Sequence, residues 1–390
     1  MTLKTRLSVL LISTPVLAFV IVGGLMGNAS ARSGEQTFQH LRVFEDVVSL
    51  VLNNYVEEVK VDRAMEGAMR GLAEGLDPDS AYLSAKQVAA VEAGTPLPEG
   101  EVGIEITRQY YLRVIAARDG SPAAKAGLQT GDYIRGIDGK PTRDMSVYEG
   151  VRLLRGAPGS KVTLTVIRGN AVDPHEVVLV REKVTGPQVT GKMLGTTGYV
   201  RIASFRTGVD QDVRKQVAAL TKSGATSLIL DIRRVAEGSI DGSIATARLF
   251  VKSGTLTTKS GRDPKVGGEV IAAKPGDGEI ALPATILVSN GTSGPAEVFA
   301  AALDGNKRAD LIGEHTLGRA GVQKLVKLPE NRGLWLTYAK YLAPNGDAIQ
   351  GKGLTPDVAV EEPDVAEFGG PAPDKDPILD AALEKIKKAA

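Results

Sequence analysis

The stretch that decides the fold runs from Gly198-Tyr199-Val200-Arg201-Ile202 through Asp210 to Lys222 and on to Ser227-Leu228-Ile229-Leu230-Asp231-Ile232. The first piece reads as a strand, the second as a helix, and the third as a continuous apolar run, the pattern of a strand covered on both faces. A helix over Ile240 to Val251, a strand over Ala284 to Val288 and a helix over Ala296 to Leu303 continue the series. Alternation of this kind predicts an α/β architecture with helices packed on a sheet, extending over residues 187–362.

Upstream, residues 100–182 change character. Segments such as Leu112-Arg113-Val114-Ile115 and Val162-Thr163-Leu164-Thr165-Val166-Ile167 are strand-like, and Gly127, Gly131, Gly136 and Gly139 punctuate the turns between them. A compact domain of several short strands and two helices follows, Val147 to Leu154 being the clearer helix. Before it, Leu41, Phe44, Val47, Val48, Val51, Leu52 and Tyr55 recur at three- and four-residue steps, and Ala64, Met65, Ala68, Met69, Leu72 and Leu76 repeat the pattern. Residues 40–93 are therefore a helical segment, with a third short helix over Ala85 to Glu92 and a linker from Gly94 to Gly100. Downstream, residues 363–376 read as a flexible linker and residues 377–390 as a last helix.

Composition narrows the chemistry. The 390 residues carry 47 Lys and Arg against 46 Asp and Glu, a formal charge of +1 that offers no overall attraction to nucleic acid. No Cys is present, which excludes disulfides, a thiolate nucleophile and Cys-ligated metal. His40, His175 and His315 are scattered, no carboxylates have metal-ligand spacing, and no cofactor is expected. At the N-terminus, Lys4 and Arg6 precede an uncharged run from Leu7 to Ser30, and Ala29-Ser30-Ala31 supplies a small-x-small cleavage pattern. Residues 1–31 are thus a signal peptide, or a signal anchor, since the run is long enough to span a bilayer of ~30 Å. The expected location is outside the cytoplasm, in a periplasm or on the outer face of the cytoplasmic membrane.

Several segments, in order, resemble the carboxy-terminal processing peptidases, or tail-specific proteases. Leu76-Asp77-Pro78-Asp79-Ser80-Ala81-Tyr82-Leu83 is similar to their L-D-P-H-S-x-Y-L, and Gly120-Ser121-Pro122-Ala123-Ala124-Lys125-Ala126-Gly127-Leu128 with Gly131-Asp132-Tyr133-Ile134 to a PDZ signature. Thr337-Tyr338-Ala339-Lys340-Tyr341, Pro344-Asn345-Gly346 and Ile349-Gln350-Gly351-Lys352-Gly353-Leu354-Thr355-Pro356-Asp357 resemble the family's C-terminal motifs. The resemblance implies N-terminal helices, a PDZ domain over 100–182 and a ClpP- or crotonase-like α/β core. It also implies serine endopeptidase ancestry, with C-terminal tails of exported proteins or unstructured peptides as partners. A PDZ domain adds a peptide strand to a sheet edge and holds its terminal carboxylate on backbone N–H groups. Val102-Gly103-Ile104-Glu105-Ile106 resembles that carboxylate loop, with Glu105 in place of its second Gly.

The family's reaction uses a Ser in S-A-S-E, a Lys base about 25 residues later in F-G-K-G, and a Gln four residues beyond. The corresponding segments here are Asn290-Gly291-Thr292-Ser293-Gly294-Pro295-Ala296-Glu297 and Thr316-Leu317-Gly318-Arg319-Ala320-Gly321-Val322-Gln323. Anchored on Glu297 and Gly318, they put Gly294 at the nucleophile and Arg319 at the base, 25 residues apart. Gly has no nucleophile, and a guanidinium with a pKa above ~12 keeps its proton at neutral pH. Pro295 lacks the N–H expected to serve the oxyanion, and of the family's N-x-P-G-G turn Gly238 remains. Gln323 is retained without an evident duty. The leading expectation is a peptide- or protein-binding pseudopeptidase. The alternatives are an active enzyme with Ser293 as shifted nucleophile and an amine such as Lys324 as base, or a scaffold or regulator of an active relative. For Ser293 the plainer expectation is a hydroxyl in the helix N-cap region, and for Arg319 a partner for Glu297 or Glu314 or a solvated loop charge, with a peptide-contacting role as the functional alternative.

Overall fold

The computed structural model describes residues 39–169, 173–184, 186–263, 267–363, 368 and 375–389. The proposed export segment lies outside these residues, as does most of the linker 363–376. Contacts divide the chain into one unit up to Met69 and another from Arg70 onward. In the first, residues 39–54 are helical and the helix Val61–Glu74 begins. The apolar stripe read from the sequence is present, yet Leu41, Val47, Leu50 and Val51 on the first helix remain exposed.

The second unit is mixed α/β. Its central sheet runs in the order Val189–Leu194, Thr197–Ile202, Ser227–Asp231, Ala284–Val288, Ala309–Gly313, Val358–Ala359, parallel throughout except for the first pair. Alternation along each strand sends successive side chains to opposite faces. Leu228, Leu230, Ile286 and Leu311 pack with residues of the helices Val209–Lys222, Ile240–Arg248 and Pro295–Gly305. Ile229, Leu287 and Ile312 point the other way, onto Ile378 and Ala382 of the helix Pro377–Ala389. Two covered faces are why Ser227–Asp231 reads as an unbroken apolar run.

A second sheet is built around Gly333–Leu342, which pairs with Ala81–Leu83, Gly321–Lys327 and Thr255–Gly261; Glu269–Ala272 extends it. The PDZ sheet has the order Ile104–Gln109, Tyr111–Ala117, Tyr133–Ile137, Lys161–Ile167, His175–Val180. Among the described residues Ile104–Gln109 therefore has a ladder partner on one side alone. The helix Val147–Leu154 is started by a reciprocal cap, the Glu149 amide donating to Ser146 Oγ and the Ser146 amide to the Glu149 carboxylate. Inside the domain Arg168 grips Asp132 through two bonds of 2.7 and 2.8 Å.

Candidate active site

In a parallel sheet the segments leaving the carboxyl ends of adjacent strands lie side by side and form the ligand crevice. Here those segments follow Ser227–Asp231 and Ala284–Val288. Three bonds stitch them together: Thr292 Oγ1 donates to the Ile232 carbonyl at 3.0 Å, the Ser293 amide to the Val235 carbonyl at 2.9 Å, and the Arg234 amide to Ser289 Oγ at 3.0 Å. The chain then turns through Gly294, at φ 60° and ψ −117°, into the helix Pro295–Gly305. A Cβ at 294 would lie 3.4 Å from the Arg319 carbonyl and 3.8 Å from that of Ala236, ordinary contact distances. The site has room for a side chain there; the positive φ is what suits Gly.

Glu297, fully buried on the first turn of that helix, joins the two loops expected to carry the reaction. Its carboxylate accepts from the amides of Gly294 at 3.0 Å, Gly318 at 2.6 Å and Arg319 at 2.8 Å, and from the Thr316 hydroxyl. Burial pushes the carboxyl above its usual range, against these donors.

Arg319 does not pair through its guanidinium with Glu297 or Glu314, the partners expected from sequence. Its Nε donates to Asp79 Oδ2 at 3.0 Å, its Nη2 lies 2.6 Å from Asp79 Oδ1, and its Nη1 donates to the Ile106 carbonyl at 3.0 Å. This is a fork on a carboxylate with a third bond to the PDZ edge strand. Glu314 instead accepts from the amides of Asn290 and Glu362. Burial works against the Arg319 charge, but the carboxylates of Asp79, Glu105 and Glu297 outweigh it and raise the pKa above an already high value. Asp79 is the site residue that sequence reasoning missed. The signal was there: Asp79 stands where the resembling motif has His.

The other candidates are placed as follows. Ser293 is buried, but its Oγ has no hydrogen-bond partner, and the helix N-cap is Gly294. Lys324 is exposed and sits over the Tyr338 ring, 4.6 Å from its centre. Gln323 Nε2 donates to Thr337 Oγ1 at 3.1 Å, which in turn donates to Asp77 Oδ1 at 3.1 Å, so this Gln joins the strand Gly333–Leu342 to the Asp77–Ser80 turn. Gly238, at φ 132°, bridges to Phe205 through its neighbours' groups: the Phe205 amide donates to the Glu237 carbonyl and the Ser239 amide to the Phe205 carbonyl. Pro295 occupies the first helical position, where its missing N–H costs the helix nothing. His315 bonds locally to the Thr316 carbonyl. Among the described residues no three His, Asp or Glu side chains are grouped to hold a metal ion.

A cleft opens at the PDZ loop, lined by Val102–Glu105, by Val151 and Leu154 of the PDZ helix, and by Ala203, Arg234, Ala236 and Glu237 of the core. Gly103, at φ 74°, packs directly on Ser121, leaving no space for a Cβ. Burial pushes the Glu105 carboxyl up; Arg319 pulls it back, and Glu237 and Glu101 push it further up.

The sequence profile of Peptidase family S41 matches residues 196–360, and that of the PDZ domain residues 113–168. The carboxy-terminal-processing protease of Bartonella bacilliformis is 31% identical over 354 residues, covering 89% of this chain and 81% of that protein. The chain belongs to the carboxy-terminal processing proteases. Another member, carboxy-terminal processing protease CtpA of Bacillus subtilis, is 29% identical over 348 residues, 88% of this chain and 73% of that one. The solved photosystem II D1 C-terminal processing protease superposes with a TM-score of 0.67 at 28% identity, covering 82% of this chain and 92% of that one. Within this processing-protease fold the crevice holds an Arg–Asp fork and a Gly.

Proposed function

We propose that this processing-protease homologue is an exported pseudopeptidase that binds extended segments or C-terminal tails of other exported proteins without cleaving them. The observation that carries the reading is the engagement of Arg319. All three of its donor nitrogens are directed at Asp79 or the Ile106 carbonyl, and position 294 opposite offers no hydroxyl. A side chain that stays protonated and is fully engaged accepts no proton. The lone PDZ strand edge at Ile104–Gln109 and the cleft beside it support peptide binding. Export rests on the basic flank, apolar run and Ala29-Ser30-Ala31 of the N-terminus; N-terminal sequencing of the exported protein should begin at Arg32 if the segment is cleaved.

A second reading, a serine peptidase using Ser293, draws on one fact: its buried Oγ is unbonded. Among the described residues no group hydrogen-bonds to it, and Lys324 faces Tyr338. Incubation of the purified protein with an unstructured protein and with labelled peptides decides between them. Binding without turnover supports the pseudopeptidase. Turnover abolished by Ser293→Ala establishes the shifted nucleophile, and absence of both leaves the scaffold role.

A further inference from the structure

The cleft beside the PDZ loop holds a carboxylate that no group among the described residues engages directly. Its other charged residues are paired: Arg118 with Glu101 and, at 3.1 Å, with Glu237; Arg155 with Glu101 at 2.7 Å; Arg234 with Glu362 at 2.5 Å. Glu105 lines the same cleft, and its carboxylate has neither a hydrogen bond nor an ion pair among the described residues. Arg319 attracts it, but the Arg319 donors are committed to Asp79 and Ile106.

We propose that this cleft takes the basic side chain of an extended peptide segment, Lys or Arg, with Glu105 as its specificity-determining residue, and that it rejects a free terminal carboxylate. The proposal rests on the peptide-binding reading above and names the class of segment bound. The walls suit such a guest: Ile104, Val151, Leu154 and Ala236 offer apolar surface to a methylene stem, while Glu105 stands ready for the cationic head. A half-buried carboxylate with no direct partner gains from a cation set against the same partly apolar wall. The same carboxylate, at the position where the resembling loop has Gly, repels a second carboxylate, which supplies selection by exclusion.

The test uses the full-length protein and fluorescein-labelled extended peptides in anisotropy titrations. One peptide is amidated and carries a single Lys, one is amidated with norleucine in its place, and one is the norleucine peptide with a free carboxylate. The expected result is binding of the Lys peptide at least about tenfold tighter than either other peptide. Glu105→Gln, close in shape, should erase that preference, and Glu105→Gly should turn it toward the free carboxylate. Far-ultraviolet circular dichroism checks that both variants are folded. Wild type preferring the free carboxylate, or a Lys preference that survives Glu105→Gln, overturns the assignment while leaving peptide binding in place. A Glu105→Gly protein that takes the free carboxylate beside a wild type that ignores the Lys peptide refutes the cation and keeps the peptide-binding reading. Failure of every variant to bind any peptide removes that reading, and the assignment with it.

Discussion

Restoring the reacting groups should not restore the reaction. Gly294→Ser places a hydroxyl where the built Cβ has 3.4 Å to its nearest neighbour, so it fits, at a backbone cost of about 1 kcal/mol for a non-glycine residue at φ 60°. Arg319→Lys supplies an amine, but beside Asp79, a carboxylate only 7% exposed that holds the ammonium charged. Even an unperturbed Lys is neutral in about one molecule in 2,500 at pH 7, and Asp79 lowers that fraction. Pro295 has no N–H for the oxyanion, and one missing donor costs about 10² to 10³ in rate. Together these leave Gly294→Ser/Arg319→Lys roughly 10⁵ or more below an intact relative. The assay is hydrolysis of a quenched fluorescent peptide, with steps added one at a time. Asp79→His should remove only what Asp79 adds beyond the unperturbed-Lys fraction, and Pro295→Ala the oxyanion factor. A double variant that cleaves within about tenfold of an active family member would refute both the Asp79 and the oxyanion arguments.

Three further outcomes follow from the same contacts. Arg319→Met strands the Asp79 carboxylate and should cost about 2 to 4 kcal/mol, somewhat below a fully buried pair because the Arg side chain is 26% exposed; in a urea double-mutant cycle with Asp79→Ala, coupling under ~0.5 kcal/mol would show the fork to be incidental. Asp231 is opposed by burial, but Arg201 and Arg233 outweigh that and depress its pKa to about 2, so its contribution is complete above the unfolded carboxyl's range and is lost as pH falls toward 2; Asp231→Asn should flatten this stretch of the acid-unfolding profile. Glu105 has the opposite sign: its carboxyl is raised by burial, so ionising it costs more in the folded protein than in the unfolded chain, and stability falls as pH rises out of the ordinary carboxyl range; Glu105→Gln should therefore gain on wild type above that range and match it below in thermal melts.

The α/β core was legible because its pattern is unambiguous. Ala284–Val288 appears with the limits read from the sequence, and Val209–Lys222 and Ser227–Asp231 shift by a residue at one end. The second sheet was not legible. Gly333–Leu342 and Gly321–Lys327 are mostly half-buried along their length, so neither a period of two nor a solid apolar run marks them. In the site, the local features could be placed by register, as Gly294, Pro295 and Arg319 were. The partner of Arg319 could not, since Asp79 stands 240 residues away and pairing at that distance is a property of the assembled layers. The departure at 79 was visible in the motif; only the fold shows that it meets the departure at 319.

That meeting changes how the surviving polar residues should be read. Glu297 and Gln323 suggest an active site when seen in sequence, yet each has a structural duty that stands without chemistry. Glu297 satisfies three backbone amides in a fully buried corner, and removing it would leave those donors without partners at about 1 to 3 kcal/mol apiece. Gln323 continues a chain of bonds through Thr337 to the Asp77 turn, which presents Asp79 to Arg319. The loops of the crevice are thus held together by hydrogen bonds of Glu297 and Gln323 that stand whether or not any reaction occurs. Arg319, on Asp79 with its third donor on the Ile106 carbonyl, ties the core to the PDZ strand. On the pseudopeptidase reading proposed above, a site with a fastener of this kind at the position expected for the base is arranged to fix the module beside it.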